Sequence, residues 1–249
     1  MDQKTAVITG GNRGIGLSLT EAFVAAGYAV VVGARQDTGV EKRFAGKARF
    51  VAMDVRAEDG HRLLTDAATE WTGRVDVYVN NAGFSEWRPI GRIDEAFFDT
   101  LIDTNLKGAF WGCKVGVEAM GKGGVIINIS SIAGKRGSAN NTMYCASKFG
   151  MNGLTQALAK EVGGRGIRVN AVCPVLIETD GLLEALRGEF SPAKTDPRQF
   201  FSKFAAENAA LGRLPTGREV GEVCVFLASE AASAMTGQCI NVDCGVFPQ

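Results

Sequence analysis

The 249-residue chain has a single histidine, His61, and none of its cysteines is paired at C-x-x-C spacing. Its six cysteines, Cys113, Cys145, Cys173, Cys224, Cys239 and Cys244, are scattered. With one imidazole and no clustered thiols there is no nitrogen or sulfur ligand set at metal spacing, so no metal is expected. The thiols read as reduced core residues. Long apolar runs are missing as well. Stretches such as Tyr28 to Val32 and Val125 to Ile129 have strand length, far below the roughly 20 residues that span a bilayer, and no membrane segment is expected. Nor is there an excess of charge of either sign. Lys plus Arg number 27 and Asp plus Glu 27, which disfavours a nucleic-acid-binding or anionic-membrane protein. The opening Met1-Asp2-Gln3-Lys4 lacks a charged n-region and an apolar h-region, so a cytoplasmic location is expected. With neither a Pro- or Ser-rich linker nor an internal repeat, residues 1–249 read as one domain.

What the chain does have is ample core-forming sequence: 46% hydrophobic and 22% charged residues, which excludes intrinsic disorder. Short β-branched runs alternate with helical ones. Strands are expected at Thr5–Thr9, Ala29–Gly33, Ala48–Asp54, Val75–Asn80, Val125–Ser130, Arg168–Cys173 and Cys239–Val242. Several are too apolar to alternate, as in a parallel sheet covered on both faces. Helices are expected at Gly14–Ala26, Glu58–Thr72, Asp94–Leu101, Asn105–Met120, Tyr144–Val162 and Arg218–Leu227. The alternation implies right-handed crossovers and an α/β, doubly wound parallel sheet of about seven strands. Two short helical pieces, Gly181–Arg187 and Pro197–Ala210, flank a turn cluster from Ser191 to Pro197. The segment 179–212 thus reads as an insertion beside the ligand crevice, a candidate substrate lid.

The first strand ends in Thr9-Gly10-Gly11-Asn12-Arg13-Gly14-Ile15-Gly16 and opens into a helix. Glycines let the backbone approach a pyrophosphate, whose charge the free N–H groups and dipole of the helix start bind. Tyr144 and Lys148 stand four apart on an expected helix and share a face. A phenol is a poor acid or base at neutral pH, but a neighbouring ammonium stabilises the phenolate, and so a lowered Tyr144 pKa is expected. Ser131, at the carboxyl end of a strand, can hydrogen-bond a substrate oxygen as charge develops there. Cofactor choice is read at the end of the second strand. An acidic residue there would select a ribose 2′-hydroxyl, whereas this chain has Arg35, which with Arg13 in the glycine loop suits a 2′-phosphate, hence NADP(H).

The spacing G-x-x-x-G-x-G resembles the short-chain dehydrogenase/reductase family, and further motifs follow in that family's order along nearly the whole chain. They are Asn80-Asn81-Ala82-Gly83, Asn105 within Thr104-Asn105-Leu106-Lys107-Gly108, Ser131 after Ile129-Ser130, and Tyr144-Cys145-Ala146-Ser147-Lys148. The resemblance implies a Rossmann-type fold and a catalytic set of Asn105, Ser131, Tyr144 and Lys148. Lys148 would also hold the nicotinamide ribose and Asn105 would position a water relay. It further implies cofactor contacts at Gly10, Asn12, Arg13, Gly14, Ile15, Gly16, Arg35, the adenine-contacting pair Asp54 and Val55, Asn81, Ala82, Gly83, Tyr144, Lys148, Pro174, Ile177 and Thr179. The chain departs from the family at Val175 and Cys244, where glycine is usual. A β-branched Val175 would disfavour positive φ and crowd the nicotinamide.

These features point to an NADPH-dependent carbonyl reductase, reversibly an alcohol dehydrogenase. A 3-oxoacyl carrier-protein reductase is the alternative, although the basic patch for an acidic carrier, Lys122 and Arg165, is thin. A non-catalytic NADP(H)-binding sensor or scaffold is the alternative of another class. Candidate substrate-pocket residues are Trp87, Ser138, Asn140, Val175 and Leu182. Apolar and small residues on several sides of Asn105–Met120 and Tyr144–Val162 suit helices buried on both faces, and the resemblance implies a homodimer or homotetramer formed through them.

Overall fold

The computed structural model describes residues 3–193 and 196–248. In chain order its elements are β1 (Thr5–Thr9), α1 (Gly14–Ala25), β2 (Ala29–Ala34), α2 (Val40–Arg43), β3 (Ala48–Ala52), α3 (Glu58–Thr72), β4 (Val77–Asn80), α4 (Glu95–Ile102), α5 (Gly108–Met120), β5 (Gly124–Ile129), α6 (Thr142–Val162), β6 (Ile167–Pro174), α7 (Asp180–Leu186), α8 (Pro197–Asn208), α9 (Gly217–Ala228) and β7 (Cys239–Val242). The strands form one seven-stranded sheet in the order β3-β2-β1-β4-β5-β6-β7, parallel at every pairing. The expected doubly wound α/β sheet is present.

Side chains along each central strand serve the two faces in turn. In β1, Ala6 and Ile8 pack into one core while Val7 packs into the other, and Val30/Val32 against Val31 and Val125/Ile127 against Ile126 repeat the pattern. Both faces of these strands are dry, which is why the sequence reads as continuous apolar runs rather than alternation. α1 packs on α9 and α3 on α5. A smaller cluster joins Ile132, Val175, Ala209 and Val246, with Phe204, Leu214 and Cys244 against it.

Several boundaries differ from expectation for local reasons. β3 stops at Ala52, because Asp54 turns away to accept hydrogen bonds from Arg56. The helix expected from Asn105 starts instead as a π-helical turn, Asp103–Lys107, that joins α4 to α5 without a break. Of the six cysteines expected in the core, Cys113, Cys145, Cys173 and Cys224 are buried, but Cys239 and Cys244 are half-exposed; all are unpaired. Val175 does not adopt positive φ, whereas Cys244 does, at 54°. Lys194 and Thr195, in the expected turn cluster, lie outside the described residues. Among the described residues no helix is long and apolar enough to cross a membrane.

α5 lies close against the sheet at its glycines. A Cβ at Gly112 would lie 1.9 Å from Asn80 Oδ1 and 2.9 Å from Tyr78 Cε1, and Asn80 is buried in the sheet. Overpacking of this kind costs about 1–3 kcal/mol. Gly112→Ala should therefore lower the unfolding free energy by that amount, seen as a lower urea midpoint at unchanged m-value; an unaltered midpoint would contradict the packing.

Candidate active site

The chain reverses sheet direction at β1 and β4: from β1 it moves outward to β2, and from β4 to β5 on the other side. Such a switch point leaves a crevice at the carboxyl ends of the two strands. Thr9 fastens its floor. Its Oγ1 accepts from the backbone N–H groups of Asn81 (3.0 Å) and Ala82 (3.1 Å), and Asn81 Nδ2 donates to the Thr9 carbonyl at 2.9 Å. The glycine loop lies against this floor. A Cβ at Gly16 would fall 2.0 Å from the Gly10 carbonyl oxygen, so only glycine allows α1 to begin there. Gly14 has φ 53° and faces the Thr179 side chain across the crevice.

The α1 start is open to an anion: Arg13 occupies the N-cap with no side-chain cap, and the first turn holds no acid. Asn12 is buried and ties this loop to the one after β2, donating from Nδ2 to Gln36 O (2.9 Å) while Thr38 Oγ1 donates to its carbonyl (3.1 Å). Arg13 and Arg35 thus stand exposed on two tethered loops. Arg56, which sequence reasoning missed, grips Asp54 and holds its carboxyl below the usual range, with a smaller contribution from Arg35. The Ile177 side chain is buried in the main core. Pro174 ends β6, and Thr179 caps α7, accepting from Leu182 N at 3.2 Å.

Asn105 sits on the π-helical turn, fully buried. Its Oδ1 accepts from Phe84 N (3.0 Å) and its Nδ2 donates to Phe84 O (2.8 Å), so the amide clamps the chain just past Asn81-Ala82-Gly83. Nδ2 also reaches Ser147 Oγ at 3.4 Å. π-Turns recur at functional sites because they re-aim one side chain. The sequence carried no signal for this one beyond Asn105 itself.

Ser131, Tyr144 and Lys148 come together where β5 ends and α6 begins. Ser131 Oγ accepts from Ala133 N at 3.1 Å and donates to the Pro174 carbonyl at 3.5 Å, and it stands close enough to the Tyr144 phenol to pull its pKa down. Lys148 is buried, with Nζ 5.7 Å from the Tyr144 ring centre and donating to the Ile129 carbonyl at 2.7 Å. Among the described residues no carboxylate pairs with this ammonium. The expected lowering of the Tyr144 pKa is corrected. Burial pushes the phenol up to about 12, against the pull of Ser131. The same burial pushes Lys148 down to about 8.

The substrate-pocket candidates divide. Asn140, at φ 58°, joins two loops: its carbonyl accepts from Arg88 N (2.7 Å) and its Nδ2 donates to Phe190 O (3.4 Å). With Ala139, Glu189, Phe190, Ser191 and Pro192 it lines an open cavity of about 250 Å³. Ser138 Oγ lies 3.9 Å from Cys145 Sγ, Trp87 is half-buried beside Arg88, and Leu182 is half-buried at the α7 start. Val175 is buried and packs with Ile132, Ala209 and Val246.

The unfolded chain keeps a Lys148 proton up to its ordinary value of 10.5, whereas the folded one releases it near 8. Between those values the unfolded state binds more protons, so this residue's contribution to stability rises with pH. The unfolding free energy of the wild type relative to Lys148→Met should increase from pH 8 to pH 10 in chemical denaturation. A pH-independent difference would contradict the burial.

The family model described as enoyl-(acyl carrier protein) reductase matches residues 10–247. The 3-oxoacyl-(acyl-carrier-protein) reductase of Chlamydia muridarum is 34% identical over 255 residues, 98% of this chain and 97% of that one. The corresponding protein of Thermotoga maritima is 36% identical over 259 residues, 99% and 98% of the two chains. Among solved structures, a variant of actinorhodin polyketide ketoreductase crystallised with NADPH superposes with a TM-score of 0.90 at 32% identity, covering 98% of this chain and 97% of that one. With matches of this extent, on this sheet order and this crevice, the chain belongs to the short-chain dehydrogenase/reductase family of oxidoreductases.

Proposed function

We propose that the chain is an NADPH-dependent carbonyl reductase, reversibly an alcohol dehydrogenase, built as one catalytic domain in which residues 179–212 cover the substrate. The observation that carries this reading is the meeting of Ser131, Tyr144 and Lys148 at the carboxyl edge of the sheet that also holds the glycine loop.

The crevice fits the cofactor. Backbone approach at Gly16, an uncapped α1 start and two exposed guanidiniums on tethered loops are what a dinucleotide with an extra phosphate requires. Arg13 and Arg35 would hold the 2′-phosphate, Asp54 and Val55 would border the adenine, and Asn81, Ala82, Gly83, Pro174 and Thr179 would line the rest. When bound, NADPH supplies the hydride that reduces the carbonyl carbon. Tyr144 donates the proton to the carbonyl oxygen, and its high pKa keeps it protonated for that task. Ser131 Oγ donates a hydrogen bond to the same oxygen. Lys148 places positive charge behind the phenol, so that the phenolate left after proton transfer is stabilised and can be reprotonated. Asn105 holds the 83–84 backbone that walls the crevice.

A small or medium-sized ketone is the favoured substrate class. The carrier-protein reading is supported by the names of the relatives. Against it, Arg165 is already engaged, donating to Gly121 O (2.9 Å) and Val117 O (2.7 Å). A sensor without turnover has no need of the phenol and its ammonium together. Self-association through α5 and α6 is supported by Phe110 and Phe149, exposed on their outer faces.

Two measurements test this reading. NADP(H) at about 100-fold saturation should stabilise the fold by about 2.7 kcal/mol, NAD(H) at the same concentration by clearly less, and the NADP(H) effect should shrink in Arg13→Ala and Arg35→Ala. Tyr144→Phe should lower NADPH-driven ketone reduction by at least about 100-fold. Equal stabilisation by NAD(H) would overturn the cofactor choice, and undiminished turnover by Tyr144→Phe would overturn the mechanism.

A further inference from the structure

The chain's one histidine lies outside the catalytic set, yet it is among the most deeply buried polar residues. His61, on α3, and Tyr78, on β4, are both fully buried. His61 Nε2 lies 2.9 Å from the Val55 carbonyl oxygen, and His61 Nδ1 lies 2.8 Å from the Tyr78 hydroxyl. A carbonyl oxygen only accepts, so Nε2 carries the imidazole proton and the bare Nδ1 accepts from the Tyr78 O–H. The result is a one-way relay of donors from Tyr78 through His61 to the backbone of Val55.

Each end of that relay is held in place. A Cβ at Gly112 would meet Tyr78 Cε1 at 2.9 Å and one at Gly116 would meet Tyr78 Cβ at 3.1 Å, so the ring lies directly on the α5 backbone. A Cβ at Gly108, one turn earlier, would meet the Val55 carbonyl at 3.1 Å. α5 therefore pins both Tyr78 and Val55, and His61 bridges the gap between them. Burial keeps the imidazole neutral by lowering its pKa, despite the nearby charge of Glu58. It also keeps the phenol protonated as a donor. Asp54, the neighbour of Val55, is held from the solvent side by Arg56. The turn that would border the adenine is thus fixed from inside the core by His61 and from outside by Arg56.

We propose that His61, locked by Tyr78 in its Nε2–H tautomer, is a positioning residue for the adenosine end of the cofactor, acting through the Val55 carbonyl. The inference rests on the cofactor site proposed above. Removing one such buried donor should cost about tenfold in affinity.

The test uses three variants of the full chain and two probes. Adenosine 2′,5′-bisphosphate carries the adenosine end alone, and reduced nicotinamide mononucleotide carries the other end alone. His61→Leu should weaken adenosine 2′,5′-bisphosphate binding about tenfold and raise the KM for NADPH rather than lower kcat. Its effect on reduced nicotinamide mononucleotide should be less than about twofold. His61→Gln, whose amide can donate to Val55 and accept from Tyr78, should recover most of the loss. Tyr78→Phe, which frees the tautomer, should fall between wild type and His61→Leu. If His61→Leu does not fold, the order wild type, His61→Gln, Tyr78→Phe carries the test by itself. Unchanged adenosine 2′,5′-bisphosphate binding in folded His61→Leu or in Tyr78→Phe would overturn the inference, and equal losses on both probes would reduce His61 to a general structural role and overturn it too. Failure of the wild type to bind either NADPH or adenosine 2′,5′-bisphosphate would instead overturn the cofactor site, and the inference with it.

Discussion

Burying the Lys148 ammonium without a carboxylate partner is the constraint around which this molecule is arranged. A lone charge in a protein interior is expensive, and its pKa yields before the fold does. Here the compensation is small: the Ile129 carbonyl accepts from Nζ at 2.7 Å, and the weakly accepting Met151 Sδ lies 4.0 Å away. The rest of the cost is borne by a sheet whose two faces are dry and whose strands are covered by α1 and α9 on one side and α3, α5 and α6 on the other. An interior of that quality holds Lys148 in place, and the half-buried Tyr144 phenol at its edge is shifted up by partial desolvation. In the reaction proposed here, a charged substrate oxygen and a cofactor ring would enter the same dry space, where the ammonium acts at close to full strength.

Around that point the polar side chains of the crevice serve mainly to hold backbone. Thr9 and Asn81 stitch β1 to β4, Asn12 and Thr38 stitch the glycine loop to the loop after β2, and Asn105 stitches the π-helical turn to Phe84. The exposed Arg13 and Arg35 guanidiniums and the half-buried Tyr144 hydroxyl are among the groups to which a ligand-directed role is assigned, together with Ser131, whose hydroxyl is held by Ala133 N and the Pro174 carbonyl. The site is rigid where it must present backbone N–H groups and open where it must meet charge.

The sheet was legible in the sequence because buried parallel strands read as β-branched runs, and six of the long helices because they follow those runs at regular spacing. Tyr144 and Lys148 were legible because a separation of four on a helix is a geometric statement. The misses are three-dimensional. The upward shift of Tyr144 depends on the groups that crowd its half-buried side chain, which no local spacing encodes. Ile177 and Val175 sit in a stretch whose motif gives no direction for each side chain, and the structure sends them to different clusters, Ile177 to the main core and Val175 to the smaller one with Ala209 and Val246. His61 and Tyr78 are 17 positions apart on different elements, so only the packing of α3 on the sheet brings them together. The departure at Cys244 was visible, and the structure gives it content: a non-glycine residue at φ 54° packed against the cluster of Ile132, Val175, Ala209 and Val246.

The central claim, that this crevice moves a hydride to a carbonyl carbon while Tyr144 supplies the proton, is tested most directly by isotope transfer. NADPH deuterated at one or the other face of nicotinamide C4 would be incubated with the enzyme and a reactive ketone, and the alcohol product examined by mass spectrometry. The account predicts deuterium on the carbinol carbon from one labelled face and none from the other, with the hydroxyl proton drawn from solvent. Product lacking deuterium from both faces, or label divided equally between them, would contradict it.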